Sequence, residues 1–197
     1  MSARDERQIW NERYGASPQS WQEPDPFLVQ AFAEHVAPAF PVPASKIALD
    51  LAGGAGRHAI YLASQGWPVE IIDISEVGLS LAQERAAQQG VRLNTDLADL
   101  AQVHLRPVSY DLIVVFYFLK RGLFPSISAA LRPGGLLIYR TFTTAQKDFE
   151  GGPHDGAFLL KPNELLFAFP GLQVLYYRET ASTQATAELV AKKQGAA

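Results

Sequence analysis

Residues 112–116 read Leu-Ile-Val-Val-Phe, a run without a polar side chain. A strand with one face in water alternates apolar and polar residues, whereas a strand covered by helices on both faces does not. The run therefore asks for a parallel sheet clad on both sides, and the surrounding sequence has the matching grammar. Strands are expected over 47–51 and 69–72, with helices over 57–64 and 75–89, the second closed by Gly90. This is βαβ alternation. A weak strand at 91–95 precedes the buried one, which extends over 110–118. Leu119, Leu123, Ile127 and Leu131 then recur every four residues as a helix face, and Pro133-Gly134-Gly135 stops it.

A further strand is expected over 136–142. Segments 172–179 and 183–192 lie too close together for a helical crossover, so they should pair antiparallel. Ahead of all this, residues 1–45 form a helical preface. Trp10 and Tyr14 lead into Gly15, and Phe27, Leu28, Ala31, Phe32, His35 and Val36 keep helical spacing until prolines at 38, 41 and 43 stop it. Residues 143–156 carry Gly151, Gly152, Pro153 and Gly156, and read as a loop with nothing packed in it. The expected fold is α/β: a doubly wound, mostly parallel, seven-stranded Rossmann-like sheet with an antiparallel C-terminal strand. At 197 residues it should be a single domain.

Composition removes several functions. Lys+Arg 17 against Asp+Glu 20 gives a net charge of -3, without the basic excess that binding a phosphate backbone exploits, so no nucleic-acid partner is expected. There is no cysteine, which excludes disulfides, thiolate metal sites and a cysteine nucleophile and suits a reducing cytoplasm. The opening Met-Ser-Ala-Arg-Asp-Glu-Arg has no apolar core of a secretory signal. The longest apolar run, 112–119, is far short of the roughly 20 residues that cross a bilayer. His35, His58, His104 and His154 have no metal-ligand spacing, so no metal is expected.

The chemistry concentrates in Asp50-Leu51-Ala52-Gly53-Gly54-Ala55-Gly56-Arg57, where a strand hands over to a helix. Glycines there let backbone approach a ligand, and the free N–H groups of the new helix suit an anionic group. Asp73 closes the second strand, where a carboxylate accepts both hydroxyls of a ribose. Asp96-Leu97 closes the third, where an acid beside a backbone N–H reads the edge of an adenine. The turn also satisfies the dinucleotide fingerprint through Gly54, Gly56 and Ala59. A nicotinamide-dependent oxidoreductase is thus an alternative, weakened by the lack of a Tyr-x-x-x-Lys pair and by the short chain left after residue 142.

These motifs, with Ile72-Asp73-Ile74-Ser75, Tyr110-Asp111-Leu112 and Leu131-Arg132-Pro133-Gly134-Gly135, resemble the motif series of class I S-adenosylmethionine-dependent methyltransferases over residues 46–142. Phe116-Tyr117-Phe118-Leu119-Lys120-Arg121, Tyr139-Arg140-Thr141-Phe142 and the run Leu159-Leu160-Lys161-Pro162-Asn163-Glu164-Leu165 resemble the tellurite-resistance (TehB-like) branch. The resemblance implies S-adenosylmethionine as cofactor. It sets Asp50, Ala52, Gly54 and Gly56 around the methionine moiety, Asp73 on the ribose, Ile74 against the adenine, Asp96 with Leu97 on its edge, and Phe116 near the sulfonium. Ala52 stands where the family has glycine.

Methyl transfer is an in-line displacement in which the protein aligns an acceptor and excludes water. Aromatic faces suit a sulfonium whose charge disperses as the methyl leaves. Tyr14, Phe116 and Tyr117 are the candidates, with Trp10 and Tyr14 also suited to a lid. A small, soft acceptor such as a thiolate, or a selenium or tellurium oxyanion, needs no general base; a hydroxyl or amine does, and His154 in the glycine-rich loop is then the candidate. Arg57 is the candidate for the donor carboxylate. A nucleoside-binding module without turnover is the second alternative.

Overall fold

The computed structural model describes residues 3–17, 22–41 and 45–195, and the chain divides into two compact units, Met1–His104 and Leu105–Ala197. The first unit opens with helix α1 (Ala3–Ala16). Helix α2 (Pro26–Ala31) follows; Asp25 caps it by accepting a hydrogen bond from the Phe27 N–H at 2.9 Å, and proline occupies its first turn. The chain does not stop at Pro38 as expected. It passes through a π turn, Phe32–Val36, into α3 (Ala37–Ala39). Ala37 N–H reaches back five residues to the Phe32 carbonyl, and this shifted register accommodates a proline that has no N–H to give. Pro43 lies outside the described residues.

Strands β1 (Ala48–Leu51), β2 (Val69–Asp73) and β3 (Asn94–Leu97) are parallel, with Asp50 opposite Ile71 and Ile72 opposite Asp96. Helix α4 (Arg57–Ser64) joins β1 to β2, and α5 (Glu76–Gln88), capped by Ser75 on Gly78 N–H, joins β2 to β3. Leu49, Leu51, Leu62 and Ile71 are fully buried between these layers. β3 begins later than the sequence suggests because Val91 N–H closes the end of α5, bonding the Ala86 carbonyl at 2.9 Å behind Gly90 in the left-handed region.

In the second unit β4 (Tyr110–Phe116) is buried along its whole length. A 3₁₀ turn (Arg121–Leu123) leads into α6 (Phe124–Ala130), and β5 (Leu131–Phe142) follows directly. The four-residue spacing therefore overstates the helix: Leu123 and Ile127 line it, but Leu131 belongs to β5 opposite Tyr110. Pro133-Gly134-Gly135 is not a helix stop. It forms an irregularity in the β4–β5 ladder, where a side chain on Gly135 would come within 2.9 Å of the Arg132 carbonyl. Helix α7 (Glu164–Phe167) precedes β6 (Leu172–Ala181) and β7 (Ala185–Lys193), an antiparallel hairpin whose second strand also pairs antiparallel with β5. The strand order is β3-β2-β1-β4-β5-β7-β6, the mostly parallel seven-stranded arrangement expected.

The loop after β5 is packed, against expectation. It contains 3₁₀ turns at Thr144–Asp148 and Gly156–Phe158, and Gln146 is 1% exposed. Its Oε1 accepts from Ala185 N–H at 2.8 Å and its Nε2 donates to the Gly151 carbonyl at 3.0 Å. The far end is clamped by Arg121, which pairs with both carboxylate oxygens of Glu164 and donates to the Leu159 carbonyl. The Arg121 hydrogen bond holds the Glu164 carboxyl below the usual carboxylate range.

Candidate active site

The first unit folds its acids onto the glycine turn. Asp50, inside β1, accepts a hydrogen bond from Ala59 N–H at 3.0 Å through Oδ2. Its Oδ1 is buried with no hydrogen-bond partner among the described residues. Burial raises the Asp50 carboxyl to about 7 despite the Ala59 bond. A side chain at Gly53 would stand 2.7 Å from that carboxyl group and from Ile71 Cδ1, so only glycine lets the turn close over it.

Asp73 ends β2 and binds the turn from the other side. Oδ2 accepts from Gly54 N–H and Oδ1 from Ser75 N–H, both at 2.8 Å. Ile74 N–H bonds the carboxylate as well, which still leaves it acceptor capacity for a further donor. Burial raises this carboxyl too, against those backbone bonds. Ile74 beside it is buried, whereas Asp96 and Leu97 at the tip of β3 are exposed. Ala52 adopts φ +60°. This is a left-handed conformation, at about 1–2 kcal/mol for a residue with a Cβ. Gly56, also left-handed, caps α4, and the half-buried Arg57 is its first residue.

Tyr14 lies against this turn. A Cβ on Gly54 would stand 1.8 Å from the Tyr14 hydroxyl oxygen, and one on Gly78 would stand 2.9 Å from its ring. Burial raises the Tyr14 hydroxyl above the ordinary phenol range, and the charges of Asp73 and Asp50 add to this. Trp10 stacks on Tyr14 with centroids 5.9 Å apart. Asn11, on the same helix, accepts from the Ser75 hydroxyl at 2.7 Å and donates to Glu76 at 3.1 Å. Arg85 Nη1 donates to the Ala55 carbonyl at 3.2 Å.

In the second unit Phe116 is the buried last residue of β4, and Tyr117 follows at φ +56°. That conformation is an outlier for an aromatic residue and costs on the order of 1–3 kcal/mol. Its ring sits 5.1 Å from that of Phe142, with the Arg140 guanidinium 5.8 Å away over the ring centroid. Gln184 Nε2 donates to its hydroxyl at 3.2 Å. Arg140, Glu188 and Arg178 face one another across β5, β7 and β6; the buried Glu188 is 3.5 Å from the first arginine and 3.0 Å from the second. His154 is exposed, with Nε2 3.1 Å from the Phe149 carbonyl of its own loop. Among the described residues no group of three or more His, Asp or Glu is placed to hold a metal ion, and no helix is long and apolar enough to cross a membrane.

The expected residues Asp50, Ala52, Gly54, Gly56, Asp73 and Ile74 thus lie in or around the glycine turn at the ends of β1 and β2, and Tyr14 joins them. Asn11, Gly78, Arg85, Gln146 and Gln184 were not anticipated. Asn11 alone had a signal, three residues before Tyr14 on the same helix face.

Residues 48–135 match the family model described as a methyltransferase domain. The chain is 31% identical over 139 residues to hemagglutinin 1 of Eikenella corrodens, covering 66% of this chain and 45% of that protein. It is 30% identical over 139 residues to the probable S-adenosyl-L-methionine-dependent methyltransferase TehB of Haemophilus influenzae, covering 66% and 47%. It spans about half the length of these curated relatives. The crystal structure of TehB superposes with a TM-score of 0.72 at 18% identity, covering 94% of this chain and 67% of that one. Magnesium protoporphyrin IX methyltransferase from Synechocystis, solved with bound SAH, gives 0.73 at 18% identity over 98% and 99%. Residues 48–135 thus carry the sequence pattern of a methyltransferase domain. Among the proteins it resembles, TehB is matched in both sequence and fold.

Proposed function

We propose that the protein transfers the methyl group of S-adenosylmethionine to a small-molecule acceptor, a soft nucleophile such as a thiol or a selenium or tellurium oxyanion. The observation that carries the donor half is the pair of buried carboxylates on the glycine turn. Asp50 keeps an unmatched oxygen, suited to a cationic donor, and the Asp73 carboxylate retains acceptor capacity for a ribose hydroxyl. The residues present therefore fit the cofactor, which supplies an electrophilic methyl group on a sulfonium.

The chain's own part is binding and alignment. Asp50, Ala52, Gly54, Gly56 and Arg57 serve the methionine end of the donor, Asp73 the ribose, and Ile74, Asp96 and Leu97 the adenine. Tyr14 covers the turn. Phe116 and Tyr117 offer aromatic faces to the sulfonium and acceptor. A soft acceptor arrives already nucleophilic, which agrees with His154 bonding its own loop; a hydroxyl acceptor would draw on that histidine as base. Net charge of -3 and the absence of cysteine support a cytoplasmic enzyme with no nucleic-acid partner.

Transfer of radiolabelled methyl from the donor to tellurite, selenite and a panel of small thiols tests the proposal. Labelled methylated oxyanion or thioether product is expected. Donor binding with no transfer to any of them would support the nucleoside-binding module instead, and binding of NADH in place of the donor would support the oxidoreductase.

A further inference from the structure

Tyr117 is held from three directions in a backbone conformation that its side chain disfavours. Its N–H donates to the Arg140 carbonyl at 2.8 Å, so the ladder with β5 continues one step past β4 before the chain turns away. Phe142 and Arg140, both from β5, flank the ring. Gln184, at the turn of the β6–β7 hairpin, binds the hydroxyl. A ring needed only to fill space would be served by phenylalanine in a relaxed conformation, and strain held against such alternatives is characteristic of functional positions.

Gln184 is itself fixed. The next residue, Ala185, donates its N–H to the buried Gln146 side chain at 2.8 Å and accepts from Thr143 N–H at 3.0 Å. Gln146 in turn holds the Gly151 carbonyl. The buried amide therefore ties the glycine-rich loop to the strand start from which Gln184 projects.

We infer that Gln184 is a positioning residue for the methyl acceptor: it sets the Tyr117 phenol, and Gln146 sets Gln184, so the β6–β7 turn and the loop after β5 together tune acceptor use. This rests on the reading that Tyr117 meets the acceptor. Neither glutamine touches the reacting atoms, so the signature is a change in acceptor kinetics at constant donor affinity.

The test compares Gln184→Ala, Tyr117→Phe and the double variant with tellurite, selenite and 2-mercaptoethanol as probe acceptors. Each single change should lower acceptor kcat/KM about five- to tenfold, the range for one lost hydrogen bond. The donor KM should stay within about twofold, and the double variant should be no worse than the more affected single one. Losses that multiply, or an unaffected Gln184→Ala enzyme, overturn the inference. A ¹³Cζ-tyrosine spectrum of the full chain decides independently of turnover. The Tyr117 signal should shift or broaden in Gln184→Ala, and an unchanged signal overturns the positioning role. If the wild-type enzyme methylates none of the probes while that signal still moves, the acceptor proposal fails and the positioning of Tyr117 stands.

Discussion

The packing of Tyr14 on the glycine turn can be tested by adding one carbon atom. Gly54 adopts φ +54°, and a Cβ built there stands 1.8 Å from the Tyr14 hydroxyl oxygen and 2.6 Å from Cζ. Gly54→Ala thus carries two separable penalties. The left-handed backbone costs about 1–2 kcal/mol, of which about 0.5–1 is regained because alanine narrows the unfolded ensemble. Neither atom of Tyr14 can stay so close, so the ring must withdraw and lose its buried area, at about a further 1–2 kcal/mol. A total loss of about 1–3 kcal/mol is expected by urea denaturation. In a Tyr14→Ala background the clash is gone, and Gly54→Ala should cost only about 1 kcal/mol. Trypsin should also cut at Arg7 and Arg13 more readily in Gly54→Ala, because α1 has lost its seat. Equal costs in both backgrounds would refute the contact between Tyr14 and Gly54.

Three further outcomes follow from the same turn. Asp50, raised to about 7 in the fold, holds a proton that the unfolded chain releases in the ordinary carboxylate range; its contribution to stability therefore falls as pH rises to about 7 and is level above. Asp50→Asn should gain on the wild type over that window in denaturation curves, and a constant difference between the two proteins would contradict the burial of an ionisable Asp50. Ala52→Gly should leave stability unchanged or raise it by up to about 1 kcal/mol, strain relief exceeding the entropy cost of glycine; a loss above that in thermal melts would show that the methyl group packs usefully. Asp73→Asn should weaken S-adenosylhomocysteine binding about tenfold or more by calorimetry, as a charged acceptor for the ribose is lost, and unchanged affinity would take Asp73 off the ribose.

The sheet was legible because its signals are local. Residues 112–116 could lie only in a doubly covered strand, and Ser75 and Gly90 bracket α5 with residue types that helix ends require. The errors came where tertiary bonds override local pattern. Pro38 suited a helix stop, yet a π turn upstream removed the need for its N–H. Leu131 matched a helical period but was captured by pairing with Tyr110. The glycine turn with its acids was readable because these positions are set by strand tips. Its partners were not: Asn11 meets Ser75 across 64 positions and Gln184 meets Tyr117 across 67, and no periodicity in sequence records such a pairing. The loop after β5 looked unpacked because its glycines are conspicuous, whereas one buried glutamine organises it.

The most direct measurement of the central claim is titration of the full chain with S-adenosylhomocysteine in a calorimeter. The account predicts saturable heat with one molecule bound per chain and a melting temperature that rises with ligand concentration. Absence of heat up to millimolar ligand, with an unmoved melting temperature, would contradict it.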